Sequence, residues 1–174
     1  MPVIEKIKTA FERNAKAIAH SRSLGRKTGT SKTMVRDGLT CDVQEGDWKF
    51  SVDMPGSVGG NGTAPSPGVY GRAALGSCLA ICYMMYAAKL GVVINSLEVE
   101  VQADFDHAVL FDVTDEIPAG YLEVRYTITV ESDAPEKDIL KVLDEGDVHS
   151  PYLDIFARGQ KCVRNVQIVA AQKS

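Results

Sequence analysis

Residues 67–90 constrain the fold more than any other stretch of this chain. Ser66-Pro67 supplies an N-cap and a proline at the first helical position, and Gly91 supplies a C-terminal stop. The ~24 residues between them predict a helix ~36 Å long at ~1.5 Å per residue. Its middle, Ala73–Ala88, carries no charge and is apolar on every face, the pattern of a helix buried inside a fold. Ala73, Ala74, Gly76, Ser77 and Ala80 are small enough for neighbouring backbone to approach closely. The charge-free stretch is shorter than the ~20 residues of a bilayer span, and Gly76 and Ser77 interrupt it, so no membrane partner is expected.

The flanking segments supply the layers around this helix. Ile4, Ile7, Phe11 and Ile18 recur at near-helical spacing, predicting an amphipathic helix over 2–21, and 21–31 reads as a linker. Residues 30–53 read as a strand meander with turns at Asp37-Gly38 and Glu45-Gly46-Asp47; 55–67, rich in Gly and Pro, reads as a loop. Leu97, Val99, Val101, Ala103 and Phe105 alternate with polar residues, as do Leu122, Val124, Tyr126, Ile128 and Val130. These predict two half-buried antiparallel strands. A helix starts near Pro135 with Ile139, Leu140 and Leu143 inside, a short helix begins at Pro151, and 163–169 reads as a last strand. Strands before and after a central helix make the class α+β.

Composition narrows the function. The 174 residues carry a net charge of −4 with no basic run, so nucleic acid is not an expected partner. The N-terminal 20 residues are too charged for a secretory signal, which predicts a cytoplasmic location and reduced thiols at Cys41, Cys78, Cys82 and Cys162. No two cysteines form a CxxC pair. His20 and His107 lack partners at metal-ligand spacing, and the acids of 104–116 lack the glycine and terminal glutamate of a calcium loop. The glycines of 56–62 lack the ending of a phosphate loop. No metal and no cofactor are expected.

Cys78 reads two ways. It is either a small core hydrophobe or a reactive thiol that needs a cation from another segment, since it lies about three turns from the positive end of its helix. Cys82 lies one turn further on, where a disulfide with Cys78 would be strained. Arg36 is either a solvated residue before a hairpin turn or that cation; Arg72 is six residues from Cys78 and on a different face. Ser150 reads as the cap of the helix after Pro151, and His149 as a loop histidine or a base.

Pro55-Gly-Ser-Val-Gly-Gly60, Pro65-Ser-Pro67 and Ala73-Ala-Leu-Gly-Ser-Cys-Leu-Ala80, followed by Ser132-Asp-Ala-Pro135 and His149-Ser-Pro151, resemble the OsmC/Ohr family of cysteine-dependent hydroperoxide reductases. The resemblance covers roughly 30–170, which makes 26–174 a single OsmC-like domain preceded by a helix and linker at 1–25. It implies an antiparallel-rich sheet wrapped around the long central helix, and an intertwined homodimer with two sites at the interface. All-round burial of that helix is hard to achieve in so small a chain, which also favours a partner.

By the same resemblance, the peroxide-attacking cysteine falls on Cys78 and the family's arginine on Arg36 of Arg36-Asp-Gly38. The resolving cysteine falls on Ser150, and the glutamate that pairs with the arginine falls on Gly68, so two of four family positions are substituted. Cys78 and Arg36 are thus the expected catalytic residues, with Ser150, His149, Cys82 and Gly68 as candidate site-lining positions. One expected function is thiol-dependent reduction of an organic hydroperoxide through Cys78, regenerated by an external thiol. The alternative is a non-catalytic protein of the same fold that binds a small apolar ligand around Cys78. A partner-binding dimer, resting on the N-terminal helix, is a third.

Overall fold

A computed structural model describes residues 3–170. Helix α1 spans Val3–His20, and a short 3-10 turn follows at Arg22–Gly25. Strands β1 (Lys32–Asp37), β2 (Thr40–Glu45) and β3 (Trp48–Val52) form an antiparallel meander. Helix α2 is Pro67–Leu90, with Ser66 as N-cap and Gly91 closing it at φ 72°, a left-handed conformation suited to glycine. Strands β4 (Ser96–Phe105) and β5 (Tyr121–Glu131) pair antiparallel, and α3 (Glu136–His149) runs into α4 (Pro151–Ala157).

The core is built on α2. Leu75, Leu79 and Tyr83 have no exposed surface and pack with Tyr86, Ala87, Val92 and Val142 of α3. Burial of each large side chain contributes roughly 1.5–3 kcal/mol. The inward residues of the sheet, Leu97, Val99, Val101, Val124, Tyr126 and Ile128, cover one side of this row. A Cβ at Gly76 would lie 3.2 Å from Val101 Cγ2, so the small residues of α2 do bring the sheet close. Helix α1 docks through Phe11, edge-on to Tyr86 at 5.6 Å, and the Lys89 ammonium sits over both rings.

Four expectations need correction. First, α2 is not buried all round: Val69, Ile81 and Met85 are exposed, so one chain covers only one face. By length and composition α2 does meet the requirement for a bilayer span, contrary to the count of its charge-free stretch, but its other face forms the core. Second, 163–169 forms no strand, and Val163, Val166, Ile168 and Val169 are exposed. Alternation can mark a strand only if a ladder partner is available, and among the described residues none is paired to it. Third, the fully buried residues of α3 are Val142 and Gly146; of the expected inner stripe Leu143 packs against the core and Ile139 is partly buried, but Leu140 is exposed. Fourth, β4 and β5 slip register between Asp104 and Phe105; the skipped Leu122 faces outward and Phe105 is half exposed.

Candidate active site

The junction of α3 and α4 meets the middle of α2 at the two cysteines. Pro151 fixes the first turn of α4, and Ser150 is its N-cap, its Oγ accepting from the Leu153 amide at 3.3 Å. The same hydroxyl donates to Cys78 Sγ at 3.5 Å, and Ser150 is buried. The two roles expected of Ser150, cap and contact with the site, are thus held by one atom.

Cys82 lies behind Cys78 on α2. Burial, together with the neighbouring Cys78 sulfur, pushes the Cys82 thiol up to about 11. It is therefore protonated at neutral pH, and its Sγ donates to the His149 carbonyl at 3.9 Å. Cys78 is only partly buried. Of the pair, it is the one placed to meet a reagent.

His149 contributes its main chain rather than its ring. The imidazole stacks on Tyr86 at 4.9 Å, and Nδ1 lies 2.8 Å from the Glu145 carbonyl, which requires a proton on Nδ1. Arg36 occupies the bulge between Val35 and Asp37 on β1, is 56% exposed, and pairs with Asp42 at 3.7 Å. Within one chain this is the solvated hairpin arginine, away from the sulfur. Gly68 lies in the first turn of α2, where an added Cβ would be 3.4 Å from Arg72 Nη1. Cys41 is partly buried on β2 and Cys162 is exposed. No cluster of three metal-ligating side chains occurs among the described residues.

A polar network that the sequence reading missed braces the site from below. Asp147 Oδ1 accepts from Tyr83 Oη at 2.5 Å and Oδ2 from Tyr126 Oη at 3.0 Å, tying α2 and β5 to the last turn of α3. Burial and the carboxylate push Tyr126 up to about 12 and Tyr83 well above the usual phenol range. A Cβ at Gly146 would overlap the Tyr83 ring, 2.8 Å from Cε1. A glycine inside α3 was the one signal in the sequence for this close approach.

The chain can now be set beside known proteins. Residues 60–163, more than half of its length, match the family model described as OsmC-like protein. No curated protein matches. Among solved structures, an OsmC-like protein from Mycoplasma pneumoniae superposes with a TM-score of 0.65 at 14% identity, covering 75% of this chain and 88% of that one. An organic hydroperoxide resistance protein OsmC from Legionella pneumophila gives 0.56 at 18% identity, covering 74% and 88%. One from Elizabethkingia anophelis, with crystallant-derived thiocyanate bound, gives 0.56 at 15%, covering 74% and 87%. At these identities the structures speak for the fold alone, and α1 and the meander precede the matched segment. With the family model matching across α2, β4, β5, α3 and α4, the chain belongs to the OsmC-like family.

Proposed function

We propose that this protein reduces organic hydroperoxides through a single thiol, Cys78. The observation that carries the reading is the Ser150 hydroxyl directed at Cys78 Sγ from a buried position, beside a second thiol held protonated. The Cys78 thiolate attacks the distal oxygen of ROOH. The S–O bond forms, the O–O bond breaks, and the departing alkoxide takes up a proton to leave ROH and a Cys78 sulfenic acid. One external thiol displaces water from sulfur to give a mixed disulfide. A second releases Cys78 and departs as the oxidised disulfide. With serine at 150, no resolving thiol stands at the α3–α4 junction, so the external reductant is an obligatory co-substrate.

The departing oxyanion needs a cation, and a homodimer supplies one from the meander. Met34, Val35 and Trp48 on β1 and β3, Ile81 on α2, and Val163, Val166, Ile168 and Val169 are all exposed and apolar. Intertwining two copies covers these surfaces together and carries Arg36 of one copy toward Cys78 of the other. Free cysteines throughout fit a reducing, cytoplasmic setting.

The test is turnover. The purified protein with dithiothreitol should consume cumene hydroperoxide, and Cys78→Ser should abolish consumption while Cys82→Ser retains it. Sedimentation should give a dimer at micromolar concentration. Undiminished turnover in Cys78→Ser rejects the reading, and a stable monomer rejects the contribution of Arg36 from a second copy.

A further inference from the structure

A concavity of about 460 Å³ opens at the start of α2, lined in part by Arg72, His107, Phe105, Leu110, Met54 and Tyr121. Arg72 is six residues before Cys78, which is ~9 Å along the helix axis. The thiol mechanism makes no use of it. The volume is that of a small-molecule pocket, and its walls are mostly apolar with a few polar groups.

The Arg72 guanidinium cannot lose its charge and presents five N–H donors. Among the described residues it has no carboxylate within ion-pair distance. Its hydrogen bond is a long one, from Nη1 to Tyr121 Oη at 3.4 Å. Tyr121 in turn donates its proton to the Gly68 carbonyl at 3.2 Å, so it offers Arg72 an oxygen lone pair and no charge. Position 68 is glycine, and the nearest atoms to where its Cβ would stand are the Arg72 guanidinium itself and the uncharged hydroxyls of Tyr121 and Ser66. Asp106 is the carboxylate of the lining; it is exposed, and its Oδ1 accepts from the Ala108 amide at 2.8 Å. The aromatic wall is fixed: Tyr121 stacks on Phe156 of α4 at 6.1 Å, and His107 lies 5.1 Å from Phe105.

A half-buried permanent cation with neutral partners, facing aromatic and aliphatic walls, suits a ligand that is charged at one end only. We infer that this concavity binds an amphipathic organic carboxylate, its carboxylate paired with Arg72 and its apolar body held against Phe105, Leu110 and Met54. A free inorganic anion would leave those walls unused, and a neutral apolar molecule would leave the guanidinium unpaired. The concavity includes Gly68, where the resemblance puts a site residue, but carboxylate binding is read without turnover, so this inference and the chemistry at Cys78 stand or fall separately.

Calorimetric titration of the full chain with 1-naphthoate and its neutral counterpart 1-naphthalenemethanol tests it. The carboxylate should bind at one site per chain, ~10-fold or more tighter than the alcohol. Arg72→Gln should erase that advantage, and Arg72→Lys should restore part of it. Amide shifts in the unaltered protein, confined to Gly68, Arg72, His107 and Tyr121, provide the answer should Arg72→Gln fail to fold. Equal affinity for acid and alcohol, undiminished binding by a folded Arg72→Gln, shifts elsewhere, or no binding at millimolar ligand would each overturn the inference.

Discussion

The Ser150 hydroxyl donates to Cys78 Sγ at 3.5 Å while accepting the Leu153 amide at 3.3 Å, so one atom starts α4 and touches the thiol. The helix end and the site are mechanically joined. Movement of α4 moves the donor, and loss of the donor weakens the helix start.

Removing the hydroxyl should therefore register twice. Ser150→Ala is expected to lose roughly 0.5–2 kcal/mol of stability for the missing cap. It should also slow the reaction of Cys78 with peroxide. Denaturant melts and stopped-flow oxidation on the same preparations read the two effects. A stability loss with unchanged thiol kinetics would assign Ser150 to capping alone.

Placing a thiol at the same position should change the oxidation product. In Ser150→Cys, mild peroxide is expected to give a disulfide to Cys78, read as the loss of two hydrogens by intact mass. The unaltered protein should stop at a trappable sulfenic acid. Sulfenic acid without crosslink in the variant would mean that the α3–α4 junction does not approach the thiol in solution.

Stability at high pH should follow the Tyr–Asp147 network. Tyr126 ionises at about 12 in the folded state against 10.0 ordinarily, and Tyr83 is raised further. The folded state thus holds protons that the unfolded chain has already released. Stability is complete below pH 10 and falls as pH rises toward 12. Chemical denaturation across this range should show that decline, with a shallower slope in Tyr126→Phe. A flat profile would contradict the buried network.

Gly146→Ala tests the close approach of α3 to α2. The added methyl overlaps the Tyr83 ring, and that ring is pinned by its bond to Asp147. Overpacking of this kind costs about 1–3 kcal/mol, more than alanine gains as a helix former. The melting temperature should fall.

Asp53 is buried and accepts from the amides of Met54, Asn61 and Thr63 and from the Thr63 hydroxyl. These bonds hold its carboxyl well below the usual 3.8. Its contribution is present above pH 4 and lost progressively as pH falls below that value. Asp53→Asn should lower the melting temperature at pH 7 and flatten its decline in acid. Identical acid profiles for the two proteins would remove the assignment.

What the sequence made legible was whatever a single segment decides for itself. Ser66-Pro67 and Gly91 bound α2 closely, and the alternation of 97–105 and 122–130 marked the paired strands, Leu122 apart. Ser150-Pro151 announced the start of α4. What stayed hidden depends on a second segment. The 163–169 alternation looks like a strand, yet strandedness belongs to a pair of segments. Leu122 faces outward because of a register slip that its own segment does not encode. Asp147 reads as a surface acid near a helix end and becomes the brace of the site only when Tyr83 and Tyr126 converge on it. Arg72, dismissed as a partner for Cys78, gained a setting of its own from Tyr121, a residue 49 positions away.

Site-resolved mass spectrometry of the four thiols after brief, stoichiometric treatment with cumene hydroperoxide and a sulfenic-acid trap tests the central claim most directly. The account predicts trap adducts at Cys78 ahead of Cys41, Cys82 and Cys162, and no compensating rise at Cys82 in Cys78→Ser. Modification concentrated at Cys41 or Cys162 with Cys78 left reduced would contradict it, and would favour the non-catalytic ligand-binding reading of this fold.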